Sequence, residues 1–544
     1  MFKEKQILPL IGNEAIVLGA LEAGINFVAT YPGTPSSEIG NLFYRLKETY
    51  PVYMEFSTNE KVALEAAAGA AFSGLKSLVA MKHFGLNVCL DALIPLCHCD
   101  LKGAMVIVVC DDPSCHSSAQ SEEDSRGFWE NLLVPILEPS NPEEARRFTK
   151  IAFKISEKFK KPVIIRSVTR VSHQTQPIKV GKIKVSQVKG RFEKDRESFD
   201  TMPPFILEKK RKLLALKEKF EEFLEKENLN LIIEGKEKKV GVIASGVGFY
   251  YLQEVLKKHQ ISLPVLKIET FYPLPSKKLK KFLKGKEKVL VLEEVFGILE
   301  KNIKAFAFEN KFSLKIEGKN LMEPVGELSP SRVKEALFKF LGKKLPQRKE
   351  KKEIFPKRSP KFCPGCPYWF IFGALEKAVN KKEVVFCGDI GCYMLGYFKP
   401  FEMQDTLLCM GSSVGLAHGI SKATNQKVIA LVGDSTFFHA SLPGIINIFH
   451  HHSSPLIIIF NNEITAMTGH QPHPGTPAEF KKEKLEVKIK KILEAIGFKN
   501  IESLDPVKEQ EKLIQKIKEF LSKNEASAII CTHPCRILER KFKK

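Results

Sequence analysis

Short apolar runs alternate with segments of helical spacing along this chain, and the clearest example lies near its C-terminal end. The runs VIALV (428–432) and LIIIF (456–460) enclose a segment whose apolar residues recur at helical intervals, namely Ile445, Ile446, Ile448 and Phe449. Runs of this length are typical of buried strands. The pattern therefore predicts a strand, a helix and a second strand that runs parallel to the first.

Polar residues follow both predicted strands. Gly433 and Asp434 come directly after the first strand, and Asn461 and Asn462 come directly after the second. Parallel strands end at the same edge of a sheet, which is where open α/β sheets bind ligands. Carboxylate and amide oxygens suit Mg²⁺, and the start of the following helix offers N–H donors to phosphate. The stretch predicts a magnesium diphosphate site, although an ordinary buried unit with polar strand ends is the alternative.

The same alternation runs through most of the chain and predicts an α/β protein. A helix is expected over 13–23, a strand over 27–30 and an Ala/Gly-rich helix over 61–72. Apolar runs and helical segments alternate again over 240–292, which is typical of a small α/β domain. Residues 206–227 combine helical apolar spacing with dense Lys and Glu, the signature of an amphipathic helix.

Length and charge narrow the class of protein. A chain of 544 residues is long enough for about three domains. No apolar run approaches the ~18 residues of a membrane span and no secretory signal is visible, so a cytoplasmic location is expected. The net charge of +22 is scattered and no nucleic-acid-binding module is recognisable, so a Lys-rich, thermophilic composition or an acidic partner protein explains it better.

Four segments of the first third resemble one enzyme family. They are YPGTPSSE (31–38), NEKVALEAAAGA (59–70), MKHFGLN (81–87) and CDDPSCHSSAQSEEDSR (110–126). Together with GDS and the later NN pair, they resemble the 2-oxoacid:ferredoxin oxidoreductases, most of all their indolepyruvate branch. The family uses thiamine diphosphate, and its motif usually begins G-D-G, with a glycine at the position of Ser435 in this chain.

The resemblance implies a domain organisation. It places a pyrimidine-binding domain at 1–174 and a thiamine diphosphate and Mg²⁺ domain at 362–544. Between them it implies a helical connector (175–239), a smaller α/β domain like the transketolase C-terminal domain (240–342) and a charged, proline-containing linker (343–361). Both outer domains would have the thiamine-diphosphate-binding fold, with parallel sheets flanked by helices.

The resemblance also implies site residues. Glu60 matches the carboxylate that bonds the cofactor's N1′ and favours its imino tautomer, although a helix-start carboxylate that merely stabilises its helix is the simpler explanation. Thr34 matches a position facing substrate, and His83 is expected in a loop near the thiazolium. Mg²⁺ would be held by Asp434, Asn462 and the carbonyl of Ile464. The cofactor-binding residues implied are Gly391, Cys392, Gly411, Ser412, Gly433, Asp434, Ser435, Asn462, Ile464 and Thr468.

Four of the twelve cysteines match a ligand pattern of the family. Cys363, Cys366, Cys392 and Cys535 correspond to the thiolates that hold a [4Fe–4S] cluster in many relatives. A Cys₄ zinc site and four unligated thiols are the alternatives. Alpha subunits of the indolepyruvate enzyme usually continue into a ferredoxin-like tail with two further Cys-rich motifs, and this sequence lacks them.

The implied reaction is oxidative decarboxylation of an aryl 2-oxoacid such as indolepyruvate. Coenzyme A would take the acyl group and ferredoxin the electrons, and the chain would act with a smaller beta subunit in an α₂β₂ or larger assembly. A different 2-oxoacid substrate, a non-redox thiamine-dependent decarboxylase or carboligase, and a catalytically silent scaffold subunit are the alternatives.

Overall fold

The protein is described by a computed structural model that covers residues 2–185, 189–203, 205–345, 359–481 and 485–542. The chain forms two compact units, Met1–Glu350 and Lys351–Lys544. Most of the linker expected over 343–361 lies outside the described residues.

The first unit contains fourteen strands among its described residues. In chain order they are Ile7–Ile11 (β1), Phe27–Thr30 (β2), Tyr53–Phe56 (β3), Lys76–Lys82 (β4), Ala104–Asp111 (β5), Ile136–Leu137 (β6), Val163–Val168 (β7), Thr175–Lys179 (β8), Ile232–Ile233 (β9), Val240–Ser245 (β10), Val265–Ile268 (β11), Thr270–Tyr272 (β12), Lys288–Leu292 (β13) and Lys315–Glu317 (β14).

The α-helices of this unit lie between the strands. They are Gly12–Ala23 (α1), Ser37–Leu46 (α2), Glu60–Phe72 (α3), His83–His98 (α4), Trp129–Leu132 (α5), Pro142–Phe159 (α6), Thr169–His173 (α7), Arg196–Phe199 (α8), Phe205–Lys226 (α9), Gly246–Lys258 (α10), Ser276–Leu283 (α11), Ile298–Glu309 (α12) and Pro330–Phe340 (α13). The predicted helices near 13–23, 61–72 and 206–227 and the strand at 27–30 are confirmed to within a residue or two.

The main sheet of the first unit has the strand order β12-β6-β7-β5-β4-β2-β3. Its strands are parallel, except that β12 pairs antiparallel with β6. The strand β12 comes from the segment predicted as a separate small domain, so this segment also completes the edge of the first sheet. The carboxyl ends of β2, β3, β4 and β5 therefore lie along one edge.

A second sheet of the same unit has the order β14-β13-β10-β11-β9, and β1 pairs with β8 in a small ribbon. In the second sheet β9 runs antiparallel to β11, and the other pairs are parallel. This sheet matches the small α/β domain that the alternation over 240–292 predicts.

The second unit has one parallel sheet, with the order β15-β16-β17-β19-β18. Its strands are Val384–Cys387 (β15), Lys427–Gly433 (β16), Leu456–Asn461 (β17), Asn500–Leu504 (β18) and Ser527–Thr532 (β19). Its α-helices are Tyr368–Ala378 (α14), Ser412–Ala423 (α15), Asp434–Thr436 (α16), Leu442–His450 (α17), Ile489–Ile496 (α18), Gln510–Ser522 (α19) and Arg536–Phe542 (α20).

The predicted strand–helix–strand unit is confirmed, and so is the α/β class. The strand β16 pairs parallel with β17, and a π-helical turn at Phe437–Ser441 joins α16 to α17. In the helix between these strands, Ile445 and Ile448 lie on the buried face, whereas Ile446 and Phe449 are exposed. This division between two faces is typical of an amphipathic helix.

An unusual set of buried charges lies in the first unit. The guanidinium of Arg126 is fully buried and lies 2.6 Å from Asp124, 3.1 Å from Glu293 and 3.6 Å from Glu138. Burial alone would raise the pKa of Asp124, but the positive charges of Arg126 and Arg166 lower it. Because Asp124 precedes α5 and Glu293 follows β13, this network ties the main sheet to the second sheet.

The division into five segments that is expected from the sequence stays a prediction. Within the ranges that the structure describes, no helix is both long enough and apolar enough to cross a membrane. The cytoplasmic location also stays a prediction.

The buried network makes a prediction about stability. Replacing Arg126 by Met keeps most of the volume but removes the arginine that pairs with Glu293 and leaves Asp124 and Glu138 with Arg166 as their buried cation. We therefore expect a loss of about 3–5 kcal/mol of unfolding free energy. Thermal and urea unfolding of the variant measure this loss. The matched control is Arg211→Met, whose exposed pair with Glu208 should contribute less than about 1 kcal/mol. Equal stability of the two variants would contradict the prediction.

Candidate active site

The carboxyl edge of the second unit's sheet brings the predicted metal ligands close together. Asp434 follows β16 and Asn462 follows β17, and both are buried. The Oδ2 atom of Asp434 accepts the Glu463 N–H at 2.7 Å, and its Oδ1 accepts the Ser435 N–H at 2.8 Å. The side-chain oxygen of Asn462 accepts the Ile464 N–H at 3.2 Å. These bonds fix the oxygens while leaving each a lone pair for a cation.

The surroundings of Asp434 carry an excess of negative charge. Burial raises the pKa of Glu463 to about 7, and the negative charge of Asp434 adds to this rise. Glu463 also adopts a left-handed backbone conformation, with φ at +66°, which is costly for a residue other than glycine. A divalent cation between these groups would relieve the repulsion. The arrangement fits the Mg²⁺ that the sequence predicts.

His473 faces the same carboxylate, and the sequence analysis did not assign it a role. Its Nδ1 accepts the Gly475 N–H at 3.1 Å, which places the ring proton on Nε2. Nε2 lies 3.1 Å from Oδ2 of Asp434, but the N–H does not point at that oxygen and has no hydrogen-bond partner among the described residues. Buried donors are nearly always paired. An unpaired donor beside the predicted metal ligands fits an anionic group such as a diphosphate oxygen.

Two glycines of the site make room for one aromatic ring. A Cβ atom on Gly391 would lie 2.5 Å from the Tyr393 ring, and one on Gly433 would lie 2.6 Å from it. The Tyr393 hydroxyl and the Thr436 hydroxyl both donate to the Ile390 carbonyl, at 3.0 Å each. The GDIGC loop is thus held against the start of α16, because no side chain separates them.

A buried carboxylate holds the third loop of the site. Asp389 accepts the N–H of Gly411 at 2.9 Å and the N–H of Ser413 at 3.0 Å, which fixes the turn that begins α15. Burial raises the pKa of Asp389 to about 6. Gly411 has a φ of +88°, and a Cβ there would lie 2.7 Å from Ala440. The Ser412 hydroxyl accepts the N–H of Cys409, within the same turn.

The remaining predicted cofactor residues lie on the loop after β17. The hydroxyl of Thr465 donates to Ser435 at 2.9 Å, which joins this loop to α16. The Thr468 hydroxyl donates to the side-chain oxygen of Gln471 at 2.7 Å, within the same loop. Among the described residues, no hydrogen bond connects Thr468 to Asp434 or Asn462. Ile464 is buried next to Asn462.

All four predicted cluster cysteines line one cavity of the second unit. Cys363, Cys366, Cys392 and Cys535 share a cavity of about 270 Å³ with His470, whose Nε2 lies 3.6 Å from the Cys535 sulfur. Burial raises the pKa of Cys366 and of Cys392 to about 12, and the neighbouring thiols add to the rise. The four-thiol donor set suits a [4Fe–4S] cluster. Still, no three His, Cys, Asp or Glu side chains in the described ranges are gathered closely enough to hold a metal ion as they stand.

The first unit places the other predicted residues at the carboxyl edge of its main sheet. Thr34 follows β2, and its carbonyl accepts the Ser117 hydroxyl at 3.2 Å. The Lys82 ammonium donates to the Ser117 carbonyl at 2.8 Å, and burial lowers the pKa of Lys82 to about 8.

His83 is the first residue of α4, directly after β4. The prediction that His83 lies in a loop is therefore wrong. Burial lowers the pKa of His83, which favours the neutral ring.

Glu60 is the first residue of α3 and is 6% exposed. The preceding Asn59 caps the helix, because its side chain accepts the Val62 N–H at 2.9 Å. The cap is thus supplied by Asn59, and the Glu60 side chain packs against α4 at Gly85. A carboxylate that only stabilises a helix start can remain exposed to water. The burial of Glu60 therefore favours a further role for its carboxyl group.

The comparisons with known families agree with this geometry. The family described as "Pyruvate flavodoxin/ferredoxin oxidoreductase, thiamine diP-bdg" matches residues 18–225, which include Thr34, Glu60 and His83. The family described as "Thiamine pyrophosphate enzyme, C-terminal TPP binding domain" matches residues 378–531, which include Asp434 and Asn462. Both halves of the predicted site therefore lie in matched thiamine diphosphate domains.

Curated relatives match almost the whole chain. The indolepyruvate oxidoreductase subunit IorA of Methanothermobacter marburgensis is 38% identical over 97% of this chain and 87% of its own length. The IorA subunit of Thermococcus kodakarensis is 39% identical over 97% of this chain and 86% of its own length. The IorA subunit of Pyrococcus horikoshii is 38% identical over 97% of this chain and 85% of its own length.

Among solved structures, the 2-oxoglutarate:ferredoxin oxidoreductase of Magnetococcus marinus is similar to 62% of this chain and matches over 65% of its own chain, at 16% identity and a TM-score of 0.49. The assignment does not depend on this weaker likeness. Because relatives of one kind align over nearly its full length, the chain belongs to the indolepyruvate oxidoreductase IorA family, which are thiamine-diphosphate-dependent 2-oxoacid:ferredoxin oxidoreductases.

Proposed function

We propose that this chain is the alpha subunit of an enzyme that oxidatively decarboxylates aryl 2-oxoacids, with indolepyruvate as the substrate. The products would be CO₂, an acyl-coenzyme A and reduced ferredoxin. The observation that carries the proposal is that one chain contains both halves of the cofactor site: a buried carboxylate at one sheet edge and a buried metal-ligand pair at the other. The names of the relatives support the choice of substrate.

Thiamine diphosphate, when bound, supplies the acidic carbon that adds to the keto group and accepts the electron pair released with CO₂. The residue that prepares this carbon is Glu60, whose carboxyl group would hold a proton at N1′ of the pyrimidine. Its burial strengthens that hydrogen bond. Thr34 would face the substrate, and neutral His83 would lie beside the reacting carbon.

The residues around Asp434 would hold the metal and the diphosphate. The Asp434 carboxylate, the Asn462 side chain and the Ile464 carbonyl supply the oxygen ligands that Mg²⁺ prefers. The Nε2–H group of His473 would donate to a diphosphate oxygen and gain the partner it lacks. The glycine loops at Gly391 and Gly411 would let the backbone approach the cofactor closely. The other proposed cofactor-binding residues are Ser412, Gly433, Ser435 and Thr468.

The four cysteines would hold a [4Fe–4S] cluster that receives single electrons. Their shared cavity supports the proposal, and thiolates are the ligands that such clusters use. Because burial raises the pKa values of Cys366 and Cys392, these two thiols would ionise only when iron binds them.

The partners follow from the same reaction. We propose a beta subunit, ferredoxin as the electron acceptor, coenzyme A as the acyl acceptor and an α₂β₂ or larger assembly. The relatives are each named as a subunit, which supports a partner chain. An acidic ferredoxin would also suit the net charge of +22.

Glu60 provides the direct test of the cofactor site. In Glu60→Gln the proton at N1′ is lost, so indolepyruvate-dependent dye reduction should fall by about 10²–10⁴-fold while thiamine diphosphate stays bound. Steady-state rates and cofactor titration measure the two effects. The control is Glu65→Gln, an exposed carboxylate on the same helix that pairs with Lys61. Full activity in Glu60→Gln would refute the assignment.

The cysteines provide the test of the redox reaction. Anaerobically purified protein should be brown and contain about four irons per chain, and Cys392→Ser should lose most of both. The exposed Cys409 is the matched control, because Cys409→Ser removes a thiol of the same unit that does not line the cavity. Colourless, iron-free protein that still decarboxylates 2-oxoacids would favour a non-redox thiamine enzyme.

A further inference from the structure

We propose that Gly85 is a positioning residue for Glu60. The absence of a side chain at this point of α4 creates the space in which the Glu60 carboxyl group can point at the cofactor's pyrimidine. The inference rests on the proposed role of Glu60, and the experiments below separate a failure of one from a failure of the other.

The contact between the two residues is unusually close. An ideal Cβ atom on Gly85 would lie 2.4 Å from Cγ of Glu60, 2.9 Å from its Cδ and 2.9 Å from its Oε1. All three of the nearest atoms belong to Glu60. Non-bonded carbon atoms make favourable contact only at about 3.5–4.0 Å, so an alanine cannot share this space with the side chain as it stands.

The backbone of Gly85 does not itself require glycine. Gly85 is the third residue of α4, it is helical and buried, and it does not have the positive φ of the chain's turn glycines. Alanine favours a helical backbone more than glycine does. The contact with Glu60 therefore explains why this helical position has glycine.

A shift of the side-chain tip could not relieve the clash. The closest atom is Cγ of Glu60, so the side chain would have to rotate about its Cα–Cβ bond. The backbone there is held in place, because Asn59 caps α3 through the Val62 N–H. Rotation would move the carboxyl group by about 1 Å or more, and a misplacement of that size costs on the order of 10²-fold in rate.

Gly85→Ala is the test variant, measured in the complete enzyme loaded with thiamine diphosphate and Mg²⁺. The informative readout is the rate at which the thiazolium C2 proton exchanges with deuterium, because this step needs the Glu60 carboxyl group but neither substrate nor electron acceptor. We expect the exchange rate and the turnover number to fall about 100-fold. The affinity for thiamine diphosphate should change less than about threefold, since Mg²⁺ and the diphosphate are held by other residues.

Gly69→Ala is the matched control. Gly69 lies on α3, the helix of Glu60, and a Cβ atom there would meet nothing within 4 Å. This variant should exchange the C2 proton at the wild-type rate and unfold at an equal or slightly higher temperature, since alanine favours helix.

A double mutant shows whether Gly85 acts through Glu60. In Glu60→Gln the carboxylic acid is already lost, so adding Gly85→Ala should slow exchange by less than about twofold more. A further large loss in the double mutant would mean that Gly85→Ala damages the site by another route, and it would overturn the proposal. Wild-type exchange in a folded Gly85→Ala would overturn it too. Wild-type exchange in Glu60→Gln would instead refute the role proposed for Glu60.

Folding of the variant is also informative. If Gly85→Ala does not fold, Glu60→Ala combined with Gly85→Ala removes the side chain that obstructs the new methyl group. Recovery of soluble protein with wild-type thermal stability would localise the clash to Glu60 and support the proposal. Failure of the double variant to fold, beside a folded Glu60→Ala, would show that Gly85 is needed for another contact.

Discussion

The parallel pairing of β16 with β17 is the interaction on which the candidate site of the second unit depends. Gly433 pairs with Phe460, so the residues that follow the two strands leave the sheet side by side. A slip of one residue would reverse the faces of a strand and bury the wrong side chains, so the apolar core enforces this register. The metal-ligand pair is thus held in place by backbone hydrogen bonds and core packing together. The pairing of β2, β3 and β4 does the same for Thr34, Glu60 and His83 in the first unit.

Buried charge is used in two different ways in the two units. Around Arg126 each buried cation faces several carboxylates, and the network joins two sheets. Around Asp434 the balance is different, because Glu463 adds negative charge and, in the part of the chain that the structure describes, no Lys or Arg forms an ion pair with the carboxylate. Compensated charge stabilises structure, whereas uncompensated buried charge is typical of a site that gains a ligand.

Glycines act as spacers at the candidate site. Gly391 and Gly433 give Tyr393 its place beneath the loops, and Gly85 gives Glu60 its place beside α4. Of these three glycines, Gly391 is the one with a positive φ, which favours glycine at that position. The ring of Tyr393 also occupies the space where a Cβ atom of residue 391 would lie. At these positions a glycine is therefore required by a neighbouring side chain and not only by a turn of the backbone.

The sequence alone determined the elements and the ends of the strands, because a buried strand and an amphipathic helix each impose a short-range period on apolar residues. It therefore predicted the α/β class, the unit from β16 to β17 and the position of Asp434 and Asn462. The family and the role expected of Glu60 came from resemblance to quoted motifs. Tertiary structure alone showed that the His473 donor has no partner within the described ranges, that Asp389 holds the turn before α15, that the four cysteines share a cavity and that Gly85 contacts Glu60. Each of these joins residues far apart in the chain or on different elements, and local periodicity carries no information about which side chains packing will bring together.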